Sequence, residues 1–261
     1  MANEVLSEMR GQALIITINN PDRGNAMSFD MAVQLFNLLK NVTTDRAVRA
    51  VLLQGKGSHF MDGLDMNLYA GDVGGALDRA NQMVQPYHSA IRELQAMEKP
   101  VLAAVNGRVA GPGMSFMLAS DLVLAARSTK FNCDFTTHAL SPDGGASFFL
   151  TRQVGAAKAN ELLMLSEEFS VEDAEKWGLV NSVIDDEKLH DAALAWVDRL
   201  ATGPTRAFGA VKMLVGRAYE QNLTTHLGLE HTYWGACSRT FDFKEAIRAY
   251  FAKRPAKYSG A

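Results

Sequence analysis

The sequence predicts an α/β fold for this 261-residue chain, on three observations. Short β-rich runs alternate with longer stretches of helical periodicity. Each run is bounded by Gly, Pro, Asn or Asp. The composition, 48% hydrophobic and 21% charged, is that of a globular chain able to bury a sizeable core.

The elements follow in order. ALIITIN (13–19) is an apolar run ending in asparagine and reads as a strand. The segment NNPDRGNAMSFDM (19–31) supplies turn and cap chemistry ahead of a helix over 29–41. AVLLQG (50–55) is the next strand, and helical periodicity resumes over 76–97. VLAAVN (101–106), DLVLAAR (121–127) and KFNCDF (130–135) are strands, followed by helices at 145–165 and 188–201. Beyond Gly203-Pro204 the pattern is helical only, in TRAFGAVKMLVGRAYE, LTTHLGLEHTYWGACSRT and FKEAIRAYFAKR.

Charge and composition narrow the function. A net charge of −3 and a pI near 6.1 give no global field for nucleic acid or an anionic membrane. The opening MANEVLSEMRG has no apolar signal core, so a cytoplasmic protein is expected. The apolar stretch 101–126 is interrupted by Asn106, Arg108, Pro112 and Asp121, which makes it a buried strand–loop–helix–strand rather than a membrane span. Cys133 and Cys237 form neither a disulfide framework nor a metal-ligand spacing, and no metal is expected.

Two glycine-bearing loops carry the chemistry: HFMDGLDM at 59–66 and AAVNGRVAGPGMSFMLASD at 103–121, each leading into a predicted helix. Such loops can aim backbone N–H groups and a helix dipole at a developing negative charge. Taken in this order, the pair resembles the crotonase (enoyl-CoA hydratase/isomerase) superfamily. The resemblance continues through KFNCDFTTHALSPDGGASFFLTRQVG, AEKWGLVNSVI and DFKEAIRAYFAKRPAKY. It implies a crotonase-like spiral of ββα turns over residues 1–200 with the acyl-CoA site, and a helical trimerisation region over 201–261. It further implies an acyl-CoA thioester substrate, no cofactor beyond its coenzyme A moiety, and assembly as a homotrimer or dimer of trimers.

On this resemblance the first oxyanion donor is the N–H of Leu64, whose side chain should narrow the pocket. The second falls on Pro112, which has no N–H, so either one donor is missing or Gly113 substitutes. Pro112 also suits the first position of a helix. Where hydratases of the family carry two glutamates, this chain has Ser115 and Phe135. The usual paired acid and base for adding water are therefore absent.

A carboxylate stands eight residues beyond Phe135, in LSPDGGASFFL. Asp143 matches the position of the single acid/base in enoyl-CoA isomerases, and apolar neighbours such as Leu140, Phe148 and Phe149 would raise its pKa if they face the site. Pro-Asp-Gly-Gly before a helix is equally an N-cap sequence. The same family position holds the nucleophilic aspartate of 4-chlorobenzoyl-CoA dehalogenase, which also has a histidine where this chain has His88, twelve residues before Pro100. Tyr87 and Phe135 replace that enzyme's two tryptophans, and His88 has helical spacing to Val84 and Ile91, as a packed histidine would. The readings are thus an enoyl-CoA isomerase using Asp143, a dehalogenase or thioesterase using Asp143 and His88, and a non-catalytic acyl-CoA-binding trimer.

For the coenzyme, the N-P-x-x-x-N-A-M pattern places Arg23 at a phosphate and Asn25 and Ala26 under the pantetheine. Gly63 and Asp65 belong to the first loop, where Asp62 or Asp65 is also a candidate helix cap. Lys253, Arg254 and Lys257 form a basic cluster beside Phe251 that in the family often reaches a neighbouring subunit's nucleotide; alone it reads as a solvated helix end. Cys133 reads as core, and His138 has no identifiable partner.

Overall fold

The computed structural model describes residues 3–70 and 74–261. A six-stranded sheet has the order β1-β2-β3-β5-β7-β10, formed by Val5–Arg10, Ala13–Ile18, Ala50–Gly55, Val101–Val105, Leu122–Ala126 and Ser182–Ile184. β1 pairs antiparallel with β2, and every other pairing in this sheet is parallel. A smaller sheet has the order β4-β6-β8-β9, formed by Met61–Asp62, Arg108–Ala110, Lys130–Asn132 and Phe169–Ser170. Its first three strands are parallel. The chain therefore places β3, β5 and β7 in the large sheet and turns a corner each time to β4, β6 and β8 in the small one. That is the crotonase-like spiral.

Alternation along the strands divides the core. Ala13, Ile15, Ala50, Leu52, Leu102, Ala104 and Leu124 project to one side of the large sheet and pack with Leu189, Ala193, Val197 and Ala201 of α6 (Leu189–Ala201). Their neighbours Leu14, Ile16, Val51, Leu53, Val101, Ala103 and Val105 project to the other side, into the main core. There they join α1 (Phe29–Thr44), α2 (Ala76–Ala96) and α3 (Pro112–Leu118). All seven residues of α3 are buried, which agrees with reading 101–126 as protein interior.

α4 spans Ala146–Leu165 and is broken at Gly155, whose φ of 78° and ψ of 163° are not helical. α5 is Val171–Lys176, and the chain ends in α7 (Thr205–Arg217), α8 (Leu223–Ser238) and α9 (Phe241–Phe251). α8 buries none of its residues. Among the described residues no helix is long and apolar enough to cross a membrane.

Candidate active site

The three corners of the small sheet converge on one cavity of about 160 Å3. Gly63 follows β4, Gly111 follows β6 and Asp134 comes shortly after β8, and all three line it. Leu64, Pro112, Phe135, His138, Leu140 and Asp143 complete much of the wall, with Tyr69, Met83 and Val84 from the segment around α2. The site thus stands beyond the carboxyl ends of parallel strands, where α/β proteins place their ligands.

The first loop is set by a parallel bridge between Met27 and Leu64. Met27 N–H donates to the Gly63 carbonyl at 2.8 Å, and Asp65 N–H donates to the Met27 carbonyl at 3.0 Å. This pairing turns the N–H of Leu64 away from Met27 and leaves it without an acceptor among the described residues. Asp65 is the cap of the following turn, accepting from Asn67 N–H at 3.0 Å and pairing with Arg23 at 2.7 Å. Burial would raise its pKa, but the bonds from Asn67 and Arg23 prevail and lower it.

The second loop enters α3 through Gly111, at φ 44° and ψ −114°, with Pro112 as the first helical residue. Gly111 N–H is engaged with the Asn132 carbonyl at 3.2 Å. Gly113 sits behind Pro112, so close to β4 that a Cβ there would lie 2.4 Å from the Met61 carbonyl oxygen. As the second residue of the helix it has an N–H with no intrahelical acceptor. The cavity wall at this point is nevertheless made by Gly111 and Pro112.

Asp143 is half-buried, and burial pushes its carboxyl up to about 6, opposed by the Tyr87 hydroxyl. Its side chain caps nothing: α4 starts after Gly145 with no side-chain cap bond, so the capping alternative does not hold. The turn it stands on is pinned from below. Ser115 Oγ donates to the Asp143 carbonyl at 3.0 Å, and His88 Nε2 accepts from Gly144 N–H at 3.1 Å. Burial and the nearby Arg92 hold the His88 pKa below its ordinary value, in keeping with a neutral acceptor. Tyr87, fully buried, approaches Asp143 across Gly144, where a Cβ would come within 1.9 Å of the phenol oxygen.

Asp134 and His138, on the far wall, belong to a polar cluster that includes Arg108 and Asp62, which do not line the cavity. Arg108 Nε lies 2.7 Å from Asp62, and its other arm 3.8 Å from Asp134. His138 Nε2 lies 3.5 Å from the same Asp134 oxygen, so the histidine with no evident partner has one. Asp134 itself has a φ of 49°, held by its N–H donating to Asn132 Oδ1 at 2.6 Å. Cys133 is core, with burial pushing its thiol up to about 12.

The coenzyme candidates divide. Asn25 is wholly buried, with Oδ1 accepting from Asn20 N–H at 2.7 Å and Nδ2 donating to the Lys56 and His59 carbonyls at 2.9 and 2.6 Å. It holds the first loop in place, and Ala26 is buried beside it. Phe251, Lys253 and Lys257 at the end of α9 are exposed, with Arg254 paired to Glu245 at 2.6 Å. None of these, nor Arg23, lines the cavity.

Comparison with known proteins supports the same grouping. The enoyl-CoA hydratase/isomerase family matches residues 8–261. The chain is 37% identical to the 1,2-epoxyphenylacetyl-CoA isomerase of Escherichia coli K12, over the whole of both chains. It is 28% identical to the short-chain-enoyl-CoA hydratase of Clostridium acetobutylicum, covering 97% of this chain and 96% of that one. The crystal structure of an enoyl-CoA hydratase from Polaromonas sp. JS666 superposes with a TM-score of 0.92 at 31% identity, over 97% of this chain and 99% of the other. By fold, by cavity and by sequence, this chain belongs to the enoyl-CoA hydratase/isomerase family of the crotonase superfamily.

Proposed function

We propose that the protein shifts a double bond in an enoyl-CoA, with Asp143 as the single acid/base and Leu64 N–H as an oxyanion donor. The observation that carries this reading is one carboxyl, pushed up to about 6 by burial, in the wall of the same cavity as Leu64. The ionised Asp143 takes a proton from C2, and the C–H electron pair moves to an enolate whose charge rests on the thioester oxygen. The protonated carboxyl then returns the proton at C4, leaving the double bond conjugated with the thioester. A pKa near neutrality suits both halves of that exchange.

Ser115 and Phe135 favour isomerisation over hydration. Ser115 Oγ is spent on the Asp143 carbonyl, and Phe135 gives the cavity an apolar wall, so neither activates water. The dehalogenase or thioesterase reading needs His88 as a base, yet its Nε2 is occupied by Gly144 N–H. A non-catalytic acyl-CoA-binding role draws on Pro112 and on the two absent glutamates, and an enolate mechanism with Asp143 as its one acid/base does without those glutamates. The name of the Escherichia coli relative makes cyclic arylacetyl thioesters natural test substrates beside linear ones.

In this reading coenzyme A lies along the first loop near Arg23, Gly63 and Asp65, and no further cofactor or metal takes part. Residues 201–261 assemble copies of the chain into a homotrimer or dimer of trimers in the cytoplasm. The bare apolar groups of the last helices, among them Leu223, Leu227, Trp234 and Tyr250, support such assembly.

The test is conversion of trans-3-hexenoyl-CoA to the 2-enoyl isomer, followed in deuterated water. Isomerisation with solvent deuterium entering the acyl chain is expected. Neither turnover nor exchange, with binding intact, would favour the non-catalytic role.

A further inference from the structure

The Tyr87 hydroxyl is wholly enclosed, and among the described residues nothing meets it in good hydrogen-bond geometry. Asp143 Oδ1 is buried in the same condition. Buried polar atoms left in that state cost free energy, and a native fold holding two of them side by side invites an explanation.

The chain also gives something up to keep the phenol there. Position 144 admits only glycine, since its φ is +56° and a Cβ would stand 1.9 Å from Tyr87 Oη and 2.8 Å from Ser115 Cβ. The Tyr87 ring is flanked by Phe116 at 5.6 Å and His88 at 5.4 Å between ring centres, so the hydroxyl cannot swing aside. His88 and Ser115 then fix the height of the Asp143 turn above it.

We propose that Tyr87 is a positioning residue for Asp143, its hydroxyl donating to the carboxylate while the base is ionised and releasing it once the C2 proton has been taken. The proposal rests on Asp143 being the acid/base of the isomerisation. Tyr87 does not line the cavity and touches no substrate; it acts through Asp143 alone. A donor to the ionised form favours that form, so the phenol weakens the base enough for it to be ionised near neutral pH. The same direction is seen in the pull of Tyr87 on Asp143 against the effect of burial.

The other titratable and charged groups facing Asp143 are few. Tyr69 stands on the short helix after the first loop, its own pKa raised by burial and then by Asp143, with Arg79 behind it. His88 and Arg92 lie on α2 with Tyr87, and Asp134 and His138 are across the cavity. Of these groups, the Tyr87 hydroxyl is the one that pulls the Asp143 carboxyl down against the effect of burial.

The experiment is the pH profile of kcat/KM for trans-3-hexenoyl-CoA isomerisation in the wild type, in Tyr87→Phe and in Tyr87→3-fluorotyrosine installed at that single site, with Tm recorded alongside. Tyr87→Phe is expected to move the acid limb to higher pH by roughly one unit, a tenfold fall in kcat/KM below the limb with KM little changed. The fluorinated phenol, a stronger donor, is expected to move the limb to lower pH. It carries the test by itself if Tyr87→Phe fails to fold. A limb unmoved in both variants, or a uniform scaling of the whole profile with a change in Tm, would overturn the proposal and make Tyr87 structural. Asp143→Asn separates the two ideas: if it is active, the isomerase mechanism fails whatever Tyr87 does, and if it is inactive while the limb stays put, only the Tyr87 proposal fails.

Discussion

His88 Nε2 accepts the Gly144 N–H at 3.1 Å, so a histidine on α2 holds the turn that carries Asp143. This relationship makes His88 an acceptor in its neutral form. His88→Gln keeps an acceptor at similar reach, and its isomerase rate is expected within about threefold of wild type. His88→Leu leaves the N–H unmet and should lose roughly 1–3 kcal/mol of stability in urea denaturation. A hundredfold loss in His88→Gln with a normal melt would instead revive the nucleophilic mechanism.

Asp143→Asn keeps the shape of the side chain and removes the base. Isomerisation should fall by about 10²–10⁴-fold, the usual contribution of a positioned acid/base. Titration calorimetry with a saturated acyl-CoA should find the affinity unchanged.

The same substitution should make the protein more stable at neutral pH. The folded-state pKa of Asp143 is raised from 3.8 to about 6, so its protonated form is the one the fold favours. The associated stability is fully present below 3.8 and is lost as pH rises to about 6, a span worth about 3 kcal/mol. Asp143→Asn escapes that loss. Its Tm advantage over wild type should therefore be largest above pH 6, shrink on acidification and vanish near pH 3.5; an advantage independent of pH would contradict the assignment.

Gly144→Ala places a methyl group against the Tyr87 hydroxyl and asks alanine to hold a φ of +56°. Both terms oppose folding. A loss of roughly 3 kcal/mol or more is expected by thermal melting, with activity falling even where the protein folds.

Pro112→Ala restores an N–H at the cavity wall without lengthening the loop, in a helix position that alanine fills well. Deuterium exchange at C2 is expected to rise, by about tenfold if the added donor reaches the thioester oxygen as such donors do elsewhere. An unchanged or slower exchange would mean that Gly113 already fills that place.

Much of the framework was legible because it rests on long periodic signals. The apolar runs of β2, β3, β5 and β7 are buried on both faces, and their hydrophobic continuity predicted them. β1 was not anticipated: four of its six residues are exposed, so VLSEMR shows no alternation. β4 and β6 span only two and three residues and carry no period at all. In the site, the glycine loops and Asp143 were visible as local motifs. Tyr87 beneath Asp143 was not, since 56 residues separate them and only the spiral brings them together. Asp62 and His138 stood out singly in the sequence, but their grouping with Arg108 and Asp134 was not legible for the same reason.

The three-corner construction also governs when the site exists during folding. Gly63, Gly111 and Asp134 become neighbours only after β4, β6 and β8 have stacked in register, and Asp143 joins them from still later in the chain. The lining is drawn from segments as far apart in the sequence as Gly63 and Asp143. A nascent chain therefore has no binding surface to offer an acyl thioester until the third turn of the spiral has closed. A cavity built this way depends on long-range pairing, so its integrity is expected to report on the stacking of the short strands.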